Sequence, residues 1–197
     1  MGVVSFKIEG RLKDEGYVRN ITAHYNQLLN QAIERRGCSD LCRASHGNVR
    51  LDFTPSPAKT FTRNGGDYIF LGKRPSLASF DTPKAMGQMV GRVAQVRGRE
   101  IVLEKSKATL RAGDGICFMA GGSLCGTNIN SVEAGRIRPN RTDGITVGTL
   151  IYRNFDKAFA DTLAQTRTRR TLPLRLQLGV STESLWLRGE SYDHQPI

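Results

Sequence analysis

Lys7, Glu9 and Arg11 recur at every second position of the run SFKIEGR near the start of this sequence. On an extended backbone, alternation places Lys7 and Glu9 on the same side of the chain. An ammonium and a carboxylate so placed can hold an anionic substrate, or share a proton for acid–base work. A structural ion pair is the competing reading, and one short segment does not decide between the two. A second group of candidates is basic: Arg63, Lys73 and Arg74 in mid-chain, then Arg92, Arg97 and Arg99, with Arg167, Arg169 and Arg170 further on. The guanidinium fork matches phosphate bidentately, so these are candidate nucleic-acid contacts, set against the plainer reading of a solvated charged face. Trp186 is the only tryptophan. That argues against a base-stacking platform and for recognition of shape and phosphate.

The other chemistry-bearing residue types are dispersed. Cys38 and Cys42 are four apart, and Cys117 and Cys125 are separated further; neither pair has the C-x-x-C spacing of a zinc site. Isolated thiols and no metal site are expected. His24, His46 and His194 are scattered, and no Ser–His–Asp or Cys–His arrangement emerges, so protease activity has no support from these residues. The glycines of 121–128 form no phosphate loop, because no Gly-Lys-Ser/Thr closes them.

Composition narrows the class. A chain of 197 residues with 39% hydrophobic content can bury a core as one or two domains. No apolar run approaches the roughly 18 residues of a membrane span, and the first residues lack a signal-peptide pattern. A soluble, cytoplasmic protein is expected. With 29 basic against 18 acidic residues the formal net charge is +11, which attracts polyanions, nucleic acid foremost.

These residues must be positioned by elements that can be read in outline. Residues 3–8 suit a short strand. Tyr17, Val18, Ile21, Tyr25, Leu28, Leu29, Ala32 and Ile33 mark a helix over 14–36, stopped by Gly37. Such a βα unit is one eighth of an α/β-barrel, whose strand ends face the active site. Residues 38–80 read as a polar linker, with a turn at 63–66 and a short strand at 68–71. Residues 87–118 organise the rest: strand, turn at Arg97-Gly98, strand over 101–103, then Gly113-Asp114-Gly115 bending into the apolar run 116–119. A flexible loop is expected over 121–128, strands over 132–137 and 145–151, a helix over 156–167, and a hairpin of 172–178 with 184–188. The expected fold is therefore mainly β with one long N-terminal helix. The expected domains are 1–37, a βα remnant of a truncated α/β-barrel; 38–80, a linker; 81–171, a small β-barrel; and 172–197, the start of a further β segment.

Four segments carry a family resemblance. SFKIEGRLKDEGYVRNITAHYNQLL resembles the hallmark of the collagenase-like peptidase family, LKIEGR-[ML]-K-x-x-x-YV and a following helix. KTFTRNGGDYIFLGKRP resembles its linker, MGQMVGRV the start of its accessory β-domain, and TVGTLIYRNFDKAF that domain's G-x-x-LYRN-x-D-x-x-F signature. The resemblance is nearest to the ribosomal-RNA cytidine hydroxylase type. It implies a β-barrel like the second domain of translation elongation factors, acting as an RNA-handling appendage of an RNA-hydroxylating enzyme. It marks the Lys7–Arg11 segment without giving each residue a role. It also implies no cofactor on this chain but an iron–sulfur cluster on cysteines upstream of Met1. On this reading the chain is a fragment, catalytically inert alone, whose orphan N-terminal strand is free to pair with another copy. A true collagenase-like peptidase and a non-enzymatic nucleic-acid-binding barrel are the alternatives.

Overall fold

The computed structural model describes residues 5–37, 42–62, 84–106 and 108–191. Along them run α1 (Glu15–Arg36), β1 (Asn48–Arg50), β2 (Gln88–Arg97), β3 (Glu100–Glu104), β4 (Gly115–Ala120), β5 (Ser123–Glu133), β6 (Arg136–Pro139), β7 (Leu150–Phe155), α2 (Lys157–Gln165), β8 (Arg169–Thr171), β9 (Leu174–Val180) and β10 (Leu185–Ser191). The described residues are thus mainly β, with two α-helices and a short 3-10 turn at Pro57–Lys59. It divides into two compact units that interleave along the sequence: Met1–His24 with Pro55–Gln165, and Tyr25–Thr54 with Thr166–Ile197.

The first unit is built on a closed six-stranded barrel in the order β2-β3-β6-β5-β4-β7. Its core is Val90, Val93, Ile101, Leu110, Ile116, Phe118, Ile129, Ile137, Ile145 and Ile151. Val90, Val93 and Val96 are three apart, a spacing that an unbroken strand cannot turn inward. Ladder irregularities between Met89 and Gly91 and between Val93 and Gln95 supply the extra residues. Gly98, with φ 58°, makes the β2–β3 turn expected at Arg97-Gly98.

Several boundaries differ from expectation. The run 121–128 is no flexible loop: Gly121 and Gly122, both at positive φ, form a two-residue turn joining Ala120 to Ser123, and the remainder is β5. Ala134-Gly135, again at positive φ, splits the strand expected over 132–137 into the end of β5 and the start of β6. β7 starts at Leu150, later than expected, because Gly144 and Gly148 turn the chain first. The strand expected over 3–8 is not formed in its described part: residues 5–10 are irregular and mostly exposed.

Around the barrel, α1 starts on an Asp14 cap, whose carboxylate accepts the Tyr17 N–H at 2.6 Å. The fully buried Asn20 amide then donates to the Ser56 carbonyl at 2.8 Å and Thr60 Oγ1 at 2.9 Å, and accepts the Ser56 N–H at 2.8 Å. Arg19 donates to the Leu163 carbonyl at 2.6 Å, satisfying an orphan acceptor at the end of α2. The helical period read from the sequence is therefore real, but its apolar stripe is not a core face. Ile21 and Ala23 are buried, whereas Val18, Tyr25, Leu28 and Leu29 are exposed.

The second unit pairs β1 with β8, and β9 with β10, all antiparallel. The β1–β8 ladder lies partly in the stretch read as an irregular linker. The Asp52 carboxylate accepts the Thr166 hydroxyl and, at 2.7 Å, the Arg167 N–H. Those two bonds, the hydroxyl first, hold the Asp52 carboxyl below the usual range. Arg43 clips onto the helix through Asn26 and Asn30, one turn apart. In the β9–β10 hairpin, Leu174, Leu176, Leu178 and Val180 share a face with Leu185 and Leu187 by register, and all six are exposed.

Candidate nucleic-acid interface

Lys7 and Glu9 do meet, Nζ to Oε1 at 2.6 Å, but as an exposed pair on irregular backbone rather than on a strand. Their side chains are 80% and 66% accessible, so their pairing contributes at most about 1 kcal/mol. Arg11 is exposed on the turn that follows. Neither a buried lock nor an enclosed acid–base pair is formed by these three residues.

The basic candidates fall into three situations. Arg63, Lys73 and Arg74 lie outside the described residues. Arg92 is tied down, its guanidinium donating to the Gly148 carbonyl at 3.0 Å. Arg97 and Arg99 stand exposed at the β2–β3 tip, and their side chains make no ion pair or hydrogen bond with another described residue. On the neighbouring strand, Arg136 and Arg138 reach Glu100 at 3.9 and 3.7 Å, so one carboxylate faces two guanidinium groups. That leaves a local excess of positive charge on the hairpin and the strand beside it. Of the later cluster, Arg170 donates to the His46 carbonyl at 2.7 Å, while Arg167 and Arg169 are exposed.

Sequence reasoning missed a second charged group, which is buried. Arg153 lies between Asp114, at 3.7 Å, and Asp156, at 3.1 Å. It also donates to the Thr109 carbonyl and to Gln88, both at 3.3 Å. Asp114 accepts the N–H groups of Arg111 and Lys157 at 3.0 and 2.9 Å. Asp156 caps α2 through the Phe159 N–H at 3.0 Å and meets Lys59 at 3.1 Å. Burial is the largest single influence on Asp156 and raises its pKa. The Phe159 N–H, Lys59 and Arg153 together outweigh it, and the carboxyl ends below its usual value. The arrangement fastens β7, β4 and α2 together. Its signal was present in the segment LIYRNFD: Arg153 is two residues from the buried Ile151 and so shares its inward face. Ending the strand at 151 concealed it.

Cys42, Cys117 and Cys125 are free thiols. Burial pushes the Cys117 thiol up to about 11. Among the described residues no group of three or more histidine, cysteine, aspartate or glutamate side chains could hold a metal ion. No described cysteine set therefore fits an iron–sulfur cluster, and Cys38 lies outside the described residues.

Residues 1–78 match peptidase family U32. The 23S rRNA 5-hydroxycytidine C2501 synthase of Escherichia coli (strain K12) is 37% identical over 195 residues, covering 94% of this chain and 29% of that protein's length. The chain thus spans less than a third of that curated relative. No solved structure gives a match. Residues 1–78, which hold the hallmark and linker segments, thus match the collagenase-like family they resemble, and the chain is similar along nearly its whole length to a ribosomal-RNA hydroxycytidine synthase.

Proposed function

We propose that this chain handles ribosomal RNA for an RNA-hydroxylating protein of the U32 family, and that its barrel is the RNA-gripping part. The observation that carries this reading is the 37% identity maintained over 94% of the chain to a relative named for ribosomal-RNA hydroxycytidine synthesis. The net charge of +11 and the exposed Arg97 and Arg99 at a hairpin tip supply chemistry that phosphate requires. In this reading the barrel corresponds to the second domain of translation elongation factors. Lys7, Glu9 and Arg11 border the catalytic part of the whole protein. The iron–sulfur cluster belongs to cysteines outside this chain, and the setting is cytoplasmic.

The family name favours a second reading, in which the whole protein is a peptidase. Deleting the gene and analysing nucleosides from ribosomal RNA by mass spectrometry separates them. Loss of a hydroxycytidine signal, restored by the intact gene, is the expected result. An unchanged nucleoside profile together with peptide cleavage by the full-length protein would overturn the proposal.

A further inference from the structure

On the outer wall of the barrel lies a polar cleft of about 300 Å³, walled by Gly126, Thr127, Asn128, Asn140, Arg141 and Asn154. Three strands build it. Gly115 of β4 is opposite Asn128 of β5 on one side and Phe155 of β7, the neighbour of Asn154, on the other. Gly115 lets the Asn154 side chain lie against β4, since a Cβ there would meet Asn154 Oδ1 at 2.7 Å. The loop after β6 forms another wall and is pinned through its backbone. The Asn140 N–H donates to the Asn128 carbonyl at 2.8 Å, and the Arg141 N–H donates to Thr127 Oγ1 at 3.1 Å.

Because backbone groups do the pinning, the side chains of Asn128, Asn140, Asn154 and Arg141 make no hydrogen bond or ion pair with other described residues. No carboxylate lines the cleft. Each amide offers a donor and an acceptor together, the combination that matches a nucleobase edge. Arg141 offers a fork for a phosphate oxygen. The volume sits at the lower end for small-ligand clefts and suits one nucleotide rather than a duplex. With no aromatic ring in the wall, recognition is by hydrogen bonding to an exposed base edge, as for unpaired nucleotides in RNA loops.

We infer that this cleft is a subsite for one unpaired nucleotide of a single-stranded RNA segment, its base read by the three asparagines and its phosphate held by Arg141. This inference rests on the RNA-handling reading above and gives it a location apart from the Arg97–Arg99 tip. Gly126 provides the test. It lies in β5 without positive φ, and a Cβ there meets only the Ile116 carbonyl, at 3.7 Å, so Gly126→Val fills the cleft without backbone strain.

A fluorescein-labelled 12-nucleotide single-stranded RNA of mixed sequence is titrated with the purified chain, and the same RNA unlabelled is titrated into ¹⁵N-labelled chain. Expected are shifts in the side-chain amide resonances of Asn128, Asn140 and Asn154, and at least ten-fold weaker binding by Gly126→Val and Arg141→Ala at unchanged Tm. Arg141→Lys should recover part of the loss. Wild-type affinity in both loss variants, with RNA still bound, would overturn the subsite and leave the RNA reading standing. No RNA binding by the unaltered chain at low salt would overturn both.

Discussion

Arg153 holds a positive charge that two buried carboxylates depend on. With its side chain 7% accessible and those of Asp114 and Asp156 at 1% and 5%, removing the guanidinium leaves Asp114 without its cation and Asp156 with Lys59 alone. Arg153→Ala should lower stability by roughly 3–5 kcal/mol, read as a fall in the urea midpoint. Arg153→Lys should lose less, keeping the charge but not the fork that spans Thr109, Gln88 and both carboxylates. The pH dependence follows from Asp156. Its folded pKa lies below the ordinary 3.8, so its stabilisation is complete above 3.8 and is lost as pH falls through the lower folded value. Thermal melts should therefore show an acid limb below about pH 4, shallower in Asp156→Asn. Cys117, at about 11, carries almost no thiolate at neutral pH. A thiol reagent should label the exposed Cys42 in the native chain and reach Cys117 only when the barrel unfolds.

At the scale of elements, glycines at positive φ set where the barrel strands end, and they differ in what surrounds them. Gly121 has open space around it, so Gly121→Ala should lose only the cost of left-handed backbone, about 1–2 kcal/mol. Gly87, φ 75°, would set a Cβ 2.0 Å from the Arg153 carbonyl. Gly87→Ala should therefore cost clearly more in a Tm comparison of the two variants. This difference also explains which elements were legible. The β2–β3 hairpin was readable because Arg97-Gly98 and the flanking valines and isoleucines agree on one register. The start of β7 was not, since Ile145 is buried in the core while lying in a turn, and buried apolar residues do not distinguish strand from loop. Helix α1 was readable from its period, yet the same period could not tell that Leu28 and Leu29 would stay exposed. The β1–β8 ladder is three residues per strand and depends on side-chain bonds such as Asp52 to Thr166, which join positions 114 residues apart. The candidate site divides likewise. Exposed Arg97 and Arg99 follow from the turn, whereas the asparagine cleft exists only once three strands and a loop are brought together.

For the molecule as a whole, a net charge of +11 is combined with a barrel in which three acidic groups are committed to arginines. Asp114 and Asp156 are buried against Arg153, and Glu100 is shared between Arg136 and Arg138. Free positive charge is therefore left at the surface, with Arg97 and Arg99 extended from the hairpin tip. Phosphate contacts of that kind release counterions, so their number appears as a salt slope, about 0.7 per phosphate for single strands. The most direct measurement is the affinity of the purified chain for a fragment of 23S ribosomal RNA across a salt series, for the unaltered protein and for Arg97→Ala/Arg99→Ala. The account predicts binding that weakens linearly on a log–log plot, with a slope smaller by about 1–1.5 in the double variant. Absence of binding at low salt, or the same slope in both proteins, would contradict it.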